Sequence, residues 1–498
     1  MSSHQTLLAE IAVRAMRENG FVPEPPPDAL AEVARCSGPD AAGAGGGGGA
    51  GAGASLPDLR GLPWSSIDNP ESRDLDQIEA VEKVDGGVRL LVGIADVDRF
   101  VPSGSATDHF AGANTISVYT APRVFTMLPE RLSFDLSSLV PGQPRWAMVL
   151  ETLVRPDGTV GDGRVYAALV ENHAQLNYPS VSAWLDGQAA APAPLANAPT
   201  LRAQLELQAE VAHQLAGARR RAGALDVDTH ETRAVLDEHG HVQSLVAHVQ
   251  DRAGRIIEEL MIASNRTVAR ALDSAGLPSI RRVVREPERW ERIVTYAGEH
   301  GHRLPPEPSS VELAKFVDKM REKHSPEEFA EISVSIVKMM GRGEYVAHMP
   351  GEKEIGHFGL ATAEYVHATA PNRRYPDVIG QRLLKARDGG RARPPYDREA
   401  LMAIAARCSE REAQAQKVER RVHKSAAALL LAPRVGERFS GIVSGAGAKG
   451  VWVRVFAPPV EGKIIRGGED LEVGAKVRVR LQDVNVEMGF IDFTVVHG

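Results

Sequence analysis

The sequence has little cysteine and no long apolar run. Its two cysteines, Cys36 and Cys408, lie far apart and no Cys-x-x-Cys occurs, so neither a disulfide framework nor a cysteine-ligated zinc site is indicated. No apolar stretch approaches a membrane span. The N-terminal residues show no basic segment followed by a long apolar stretch and do not resemble a secretory signal, so we expect a cytoplasmic protein without a membrane partner.

Excess positive charge is also absent. The net charge is −7, so nucleic-acid binding through the whole surface is not indicated. Basic clusters do occur, and each alone is more typical of a solvated helix face than of a binding site; they lie at residues 218–223, 280–286, 372–377 and 417–424. A content of 43% hydrophobic and 25% charged residues is typical of a globular protein, and 498 residues predict two to four domains.

The N-terminal part is predicted to be helical. Apolar residues recur at helical spacing over residues 6–20 and end at Gly20, and a second short helix follows the proline-rich stretch. Residues 1–36 would form this helical module, and the Gly/Ala-rich residues 37–56 would form a flexible linker. Two such helices are consistent with a helix-turn-helix unit that contacts RNA, or with helices that only pack on the main domain.

The rest of the chain predicts a central α+β domain and a C-terminal β-barrel. Within residues 57–432, two apolar runs around Asp85-Gly86 predict a hairpin, and long helical patterns follow, including one at residues 398–431. Residues 433–498 contain short β-rich runs with glycine-rich turns, which is the pattern of a five-stranded OB-type barrel, although the pattern also fits other small barrels.

The barrel sequence also indicates a binding surface for single-stranded nucleic acid. Trp452, Arg454, Phe456 and Lys463 offer aromatic and cationic groups on neighbouring predicted strands. Bases stack on aromatic faces while the phosphate backbone needs cations, so Trp452 and Lys463 are candidate RNA-binding residues.

Three aspartates crowd together just after residue 65. In an extended segment Asp74 and Asp76 share a face, and a hairpin turn at residues 85–87 would place Asp96 opposite Asp76 within one or two residues. Like charges this close need a cation between them or shift one another's pKa, and hard divalent ions are bound by such carboxylates. Asp68 and its neighbours are also consistent with a simple turn.

Several segments taken in order make the sequence recognisable. It resembles the ribonuclease II (RNB) family of 3'-to-5' exoribonucleases from about residue 57 to the C-terminus. The matching segments are "DLRGLPWSSIDNPESRDLDQIEAV", "GIADVDRFVPSGSATDHFAGANTISVYTAPRVFTMLPERLS", "IIEELMIASNRTVARAL", "GHFGLATAEYVHATAPNRRYPD" and the terminal barrel. Each segment alone is of moderate specificity, whereas their order and spacing are highly specific.

The resemblance implies processive hydrolysis of single-stranded RNA to nucleoside 5'-monophosphates with Mg²⁺, for which Mn²⁺ would substitute. Carried over by motif, Asp68, Asp74 and Asp76 would bind the metal, and Asp76 would be indispensable for cleavage. Arg373 would be catalytic and contact the phosphate at the scissile end. Tyr119 would pack against the terminal base, although a strand tyrosine of this kind is often only half-buried structure.

Further residues have weaker support. The resemblance places Glu419 near the RNA path, where a surface ion pair would explain it equally well. Arg374 beside the catalytic arginine is a further RNA-binding candidate, or part of a solvated helix start. Glu258 and Glu259 are weaker candidates still, and His357 and His367 are candidate helpers in the chemistry. The sequence shows no Ser-His-Asp or Cys-His arrangement, so direct attack by a metal-activated water is expected.

The sequence departs from the family pattern in three places. Gln77 stands where the family has a fourth aspartate, so its role as a metal ligand is doubtful and one negative charge is lost. Ala370 and Asn372 replace the usual Ser and Ile. The paired cold-shock barrels of the family do not precede the catalytic domain, so RNA entry is expected to differ. Gln77 leaves an alternative open, in which a protein of this fold holds RNA 3' ends without efficient cleavage. A monomer is expected under either function.

Overall fold

The structure is a computed structural model that describes residues 4–39, 56–227, 231–248, 250–388, 394–448 and 450–496. Most of the predicted linker, residues 40–55, lies outside the described residues. The helices are α1 (His4–Glu18), α2 (Pro27–Ala34), α3 (Ala106–Asn114), α4 (Tyr178–Leu185), α5 (Ala193–Ala196), α6 (Pro199–Arg221), α7 (Arg252–Ser274), α8 (Trp290–Glu299), α9 (Ser310–Lys323), α10 (Pro326–Met340), α11 (Tyr375–Asp388) and α12 (Arg398–Leu431).

The strands fall into one large sheet, three small pairs and a barrel. They are β1 (Ser65–Asp68), β2 (Gln77–Val84), β3 (Gly87–Ala95), β4 (Val118–Tyr119), β5 (Val124–Phe125), β6 (Pro144–Val154), β7 (Val160–Glu171), β8 (Ala174–Asn177), β9 (Glu231–Leu236), β10 (Val242–His248), β11 (Ser279–Val283), β12 (Glu344–His348), β13 (Arg438–Gly447), β14 (Gly450–Phe456), β15 (Pro459–Arg466), β16 (Lys476–Asn485) and β17 (Phe490–Val495).

The central sheet has six strands in the order β7-β6-β3-β2-β1-β8. The predicted hairpin is confirmed, because β2 and β3 pair antiparallel and Val84 lies opposite Gly87. The two-residue turn between them needs a left-handed backbone, which Gly86 adopts with a φ of 83°. Strand β1 is short and joins β8 in parallel up to Asp68, so the sheet ends where the acidic segment begins.

Helices α6 and α7 cover one face of this sheet. Asp251 caps α7 by accepting a hydrogen bond from the Gly254 amide at 2.8 Å. Apolar residues of α7 at helical spacing, including Ile256, Leu260 and Ala263, pack into the same core as the strands. Long helical patterns were predicted within residues 57–432, and α7 is one of the helices that confirm them.

The longest helix, α12, connects the remaining parts of the molecule. The predicted helix at residues 398–431 is confirmed, and Asp397 caps it by accepting from the Ala400 amide at 2.8 Å. Helix α1 packs along α12, and α2 packs on α3. Met16 and Phe21 share a core with Val118 of β4 and Val418 of α12. This arrangement favours the interpretation in which the N-terminal helices pack on the main domain.

The C-terminal residues form a closed barrel in the order β13-β14-β15-β17-β16, which confirms the predicted five-stranded barrel. Its interior is apolar, with Val453, Leu481 and Phe493 each 0% exposed. Leu431 at the end of α12 packs into the same cluster, so the barrel is attached to the central domain through apolar contacts. Within the described residues, no helix combines the length and apolarity needed to cross a membrane.

Candidate active site

The three predicted metal-binding aspartates lie at one end of the central sheet. Asp68 is the last residue of β1, and Asp74 and Asp76 lie in the extended segment that leads into β2. Leu75 between them is 1% exposed and packs in the core, as the alternation along an extended segment predicts. The two short elements thus bring the carboxylates of all three aspartates to the same end of the sheet.

Asp76 is the most buried of the three, with 2% of its surface exposed. Its Oδ1 accepts a hydrogen bond from the Asn372 amide at 2.8 Å, and its Oδ2 lies 3.3 Å from Arg373 Nε. Burial raises the pKa of Asp76 to about 8, against the lowering effect of Arg373, and the charge of Asp74 adds to the rise. One guanidinium therefore does not compensate this carboxylate fully.

Asp96 lies within one residue of its predicted register, but the expectation that its carboxylate joins this group is wrong. Gln77 pairs with Ile94, and the Ala95 amide donates to the Asp76 carbonyl oxygen at 2.9 Å, so Asp76 lies opposite Ala95. Asp96 is one position further along and its Oδ1 is bonded instead to Lys385 Nζ. A shift of one residue turns a side chain to the other face of a sheet.

Asp68 is fixed by its own turn. Its Oδ1 accepts from the Asn69 amide and from Ser72 Oγ, both at 2.7 Å. The turn interpretation and the metal interpretation are therefore compatible, since these bonds position the side chain while Oδ2 takes no part in them. Burial raises the pKa of Asp68, although these two hydrogen bonds lower it.

Arg373 lies in the loop just before α11. The Ser117 amide donates to the Arg373 carbonyl oxygen at 3.0 Å, which ties this loop to the chain leading into β4. Burial alone would lower the pKa of Arg373, but the neighbouring Tyr119 and Asp76 raise it, so the guanidinium stays charged. Its side chain is 45% exposed, which leaves it accessible to a ligand.

Tyr119 lies on β4 beside these groups and is 40% exposed. Its hydroxyl donates to Asp74 Oδ2, and its amide donates to Glu419 Oε1 at 3.1 Å. Glu419 belongs to α12, so the structure brings this predicted residue to the strand that carries Tyr119. The aromatic ring is held at its hydroxyl end while its face is partly open to solvent.

Arg374 is used inside the protein. Its guanidinium donates to Asp377 Oδ1 at 2.7 Å and Oδ2 at 3.1 Å, and Asp377 Oδ1 also accepts from the Ala370 amide at 2.8 Å. These bonds fix the loop that carries Arg373. Sequence reasoning missed Asp377, although the spacing of three residues from Arg374 at a helix start would have indicated the pair.

Gln77 begins β2 and is 9% exposed. Two residues further on, Glu79 lies on the same face of the strand and is 0% exposed. Burial raises the pKa of Glu79 well above its ordinary value, and the charge of Asp68 adds to this effect. Sequence reasoning did not single out Glu79, because burial of a strand glutamate is not readable from the pattern.

The predicted barrel residues lie on its outer surface. Trp452 and Lys463 are direct cross-strand partners on β14 and β15, with Lys463 exposed and Trp452 partly so. Arg454 on the same side of β14 forms an ion pair with Glu331 of α10. The Trp452–Lys463 pair therefore lies next to the contact between the barrel and the central domain.

Three of the weaker candidates, Glu258, Glu259 and His357, line a separate cavity of about 800 Å³ between α6 and α7. Arg219 binds Glu259 through two nitrogens, at 2.8 and 2.5 Å, and Glu258 lies on the same wall. His357 also lines it, and burial lowers the pKa of His357 to about 4. His367 Nδ1 forms a hydrogen bond with the Tyr345 hydroxyl at 2.8 Å. Burial lowers the pKa of His367 well below its ordinary value.

Another acidic group, unlike the three aspartates, has all its ligand atoms within 4.8 Å of one another. Among the described residues, Asp273, His348 and Glu354 are the His, Cys, Asp or Glu side chains whose ligand atoms all lie within 4.8 Å of one another. Arg281, however, lies 2.6 Å from Asp273 and 3.0 Å from Glu354. The guanidinium already supplies the cation that this group needs.

Comparisons with known proteins agree with this architecture. The RNB domain model matches residues 57–387, and the RNase II-type exonuclease C-terminal S1 domain model matches residues 437–496. Ribonuclease R of Thermotoga maritima is 32% identical over 422 residues, which cover 82% of this chain and 57% of that protein. Ribonuclease R 1 of Lactococcus lactis is 30% identical over 401 residues, covering 78% and 48%. The chain thus spans about half the length of these curated relatives.

The fold also matches a solved structure. Mycoplasma genitalium RNase R in complex with ribose methylated single-stranded RNA has a TM-score of 0.84 and 23% sequence identity with this chain. The match covers 98% of this chain and 78% of that one. At this identity the likeness establishes the fold.

Proposed function

This chain belongs to the RNB family, and on that basis we propose that it is a metal-dependent exoribonuclease. It would bind single-stranded RNA and shorten it processively from the 3' end, releasing nucleoside 5'-monophosphates. The observation that carries the proposal is the meeting of Asp68, Asp74 and Asp76 with Arg373 and Tyr119, which come from separate parts of the chain. The relatives are ribonucleases R, and one structural neighbour is bound to single-stranded RNA.

The residues fit a hard divalent cation. Asp68, Asp74 and Asp76 offer carboxylate oxygens, which Mg²⁺ and Mn²⁺ prefer, and Arg373 alone leaves an excess of negative charge. These three aspartates would hold the ion, with Gln77 as a doubtful further ligand. Such an ion, when bound, provides a nucleophilic water at neutral pH and neutralises charge on the departing oxygen.

Arg373 would position the scissile phosphate. Its contact with Asp76 runs through Nε, so the terminal nitrogens are not needed for that contact. A guanidinium fork matches phosphate oxygens and stabilises the charge that develops on them during hydrolysis. The ion pair with Asp76 orients the guanidinium, and the hydrogen bond from the Asn372 amide in turn orients Asp76.

Tyr119 would receive the base at the 3' end. Its partly exposed ring offers a stacking surface, and the hydrogen bond from its hydroxyl to Asp74 fixes the ring against the carboxylate group. Stacking accepts any base, which suits an enzyme that removes nucleotides one after another. Trp452 and Lys463 on the barrel would bind the RNA further from the cleavage site through stacking and charge.

A second candidate function follows from Gln77. With an amide where the family has a carboxylate, the protein would hold RNA 3' ends and cleave them poorly. Gln77 is buried at the start of β2 beside Asp76, so its substitution changes the charge of the site itself. The three retained aspartates and Arg373 favour cleavage.

A time course on 5'-labelled single-stranded RNA, with Mg²⁺ and with EDTA, tests both functions. We expect progressively shorter products and free 5'-mononucleotides with Mg²⁺ only. The matched control is Gln77→Asp, which restores the family's carboxylate. RNA that stays intact yet bound, and is cleaved only by Gln77→Asp, would establish the second candidate instead.

A further inference from the structure

Glu79 of β2 has no partner for its carboxylate. The residue is 0% exposed, and neither Oε1 nor Oε2 has a hydrogen-bond partner among the described residues. Charged side chains are rarely buried in this way unless they are paired or bind a metal, because loss of hydration is costly. The contacts of Asp76 and Gln77 described above do not involve the Glu79 side chain.

Ser65 of β1 faces Glu79 directly. The two residues are register partners, and directly opposite residues point to the same face with Cβ atoms about 4.5–5.5 Å apart. Ser65 is also 0% exposed, and its Oγ likewise has no partner. A buried hydroxyl and a buried carboxylate therefore face each other without forming a hydrogen bond.

Gln208 of α6 completes the surroundings from the neighbouring layer. It is 0% exposed and its Nε2 donates to the Glu79 carbonyl oxygen at 3.4 Å, while its Oε1 has no partner. The charged side chain that acts on Glu79 is Asp68, which is negative as well. Three side chains from two strands and one helix thus contribute oxygens that lack donors.

We propose that Glu79, Ser65 and Gln208 form a buried binding site for a hard divalent cation of the Mg²⁺ or Ca²⁺ class. Carboxylate, hydroxyl and amide oxygens are the ligands of such ions, and waters complete their coordination. A bound cation would compensate the buried carboxylate and add positive charge beside Asp68.

Counting bound Mn²⁺ on the full chain by electron paramagnetic resonance tests the site. Glu79→Gln keeps the shape of the side chain and removes its charge, and we expect it to bind one ion fewer than the wild type. The matched control is Glu82→Gln on the same strand, where the glutamate is exposed and paired with Arg89; it should bind the wild-type number. The same one-ion difference is expected in an Asp76→Asn background.

Thermal unfolding gives an independent readout. EDTA should lower the unfolding midpoint of the wild type and of Glu82→Gln by about 2 °C or more, because the ion binds only the folded state. Glu79→Gln should show less of this shift. An unchanged ion count together with an unchanged EDTA shift would overturn the site, and Glu79 would then be a buried protonated carboxyl.

Ser65→Ala keeps the test decisive if Glu79→Gln does not fold. Removal of the hydroxyl should weaken the affinity for one ion about tenfold and leave the others unchanged; identical affinities for every ion would contradict the site. The inference does not depend on the proposed function, since ion counting needs no RNA. A chain that cleaves no RNA but loses one ion on Glu79→Gln would support the site and reject the activity.

Discussion

Two acidic groups in this molecule each meet an arginine, with different results. Arg281 is 2% exposed and lies 2.6 Å from Asp273 and 3.0 Å from Glu354, so one guanidinium serves two carboxylates. Arg373 is far more exposed and contacts Asp76 through Nε at 3.3 Å. Among the described residues, Asp68 and Asp74 form no comparable ion pair.

The difference shows that charge balance, more than spacing, distinguishes a site from a structural cluster. The tighter group, with His348, is already paired with an internal cation, and its ligand atoms lie within 4.8 Å of one another. The group at the end of the central sheet keeps excess negative charge and an accessible guanidinium. That combination suits a divalent ion and a phosphate.

The largest expected effect tests the group of Asp68, Asp74 and Asp76. Asp76→Asn should reduce the rate of RNA cleavage by about a thousandfold or more, because it removes a metal-site carboxylate and the partner of Arg373. RNA binding, measured by filter retention, should stay within a few-fold. Substantial residual turnover by Asp76→Asn would place the chemistry elsewhere, and Asp273→Asn should leave cleavage nearly unchanged.

Removal of Arg281 from the group of Asp273 and Glu354 should mainly affect stability. Arg281→Met should lower the free energy of unfolding by about 3–5 kcal/mol, because two carboxylates lose their buried partner. Zn²⁺ should restore part of the loss in this variant, since Asp273, His348 and Glu354 would then be free to bind it. In Arg285→Met, which breaks an exposed pair with Glu344, the loss should be about 0–1 kcal/mol. A similar loss in both variants would remove the distinction.

The pH dependence of stability should reveal the buried carboxyl group of Asp76. Because burial raises the pKa of Asp76 to about 8, the folded protein binds a proton there that the unfolded chain, with its ordinary pKa, releases near pH 4. In EDTA, stability should therefore fall by about 5 kcal/mol as pH rises from about 4 to 8. Denaturant titration of Asp76→Asn should lack this part of the slope, whereas the exposed Asp162→Asn should retain it.

The smallest effect concerns the aromatic ring of Tyr119, beside the three aspartates. Tyr119→Ala should weaken binding of a short RNA by about 1–2 kcal/mol, because the stacking surface is lost. Tyr119→Phe keeps the ring and loses only the hydrogen bond to Asp74, so its affinity should stay close to the wild type. Equal losses in the two variants, measured by fluorescence anisotropy, would show that the hydroxyl and not the ring matters.

Local pattern predicted much of the fold. The hairpin of β2 and β3 follows from apolar runs around Asp85-Gly86, and the limits of α12 follow from helical spacing after Asp397. The position of Asp96 did not follow, because a register uncertain by one residue reverses the face on which a side chain lies. Arg373 and Tyr119 were proposed from family resemblance, since neither residue stands out by spacing alone.

The sequence by itself determined the N-terminal and the longest helices, the hairpin, the barrel and the crowding of three aspartates within nine residues. Only the tertiary structure decided which groups meet them. The Asn372 amide and Asp76 are 296 residues apart, and Arg281, not a metal, compensates Asp273. Periodicity reports which face of one element is buried, whereas the partner of a buried charge depends on how distant elements pack together. The lack of a partner for the Glu79 carboxylate among the described residues likewise depends on how distant elements pack together.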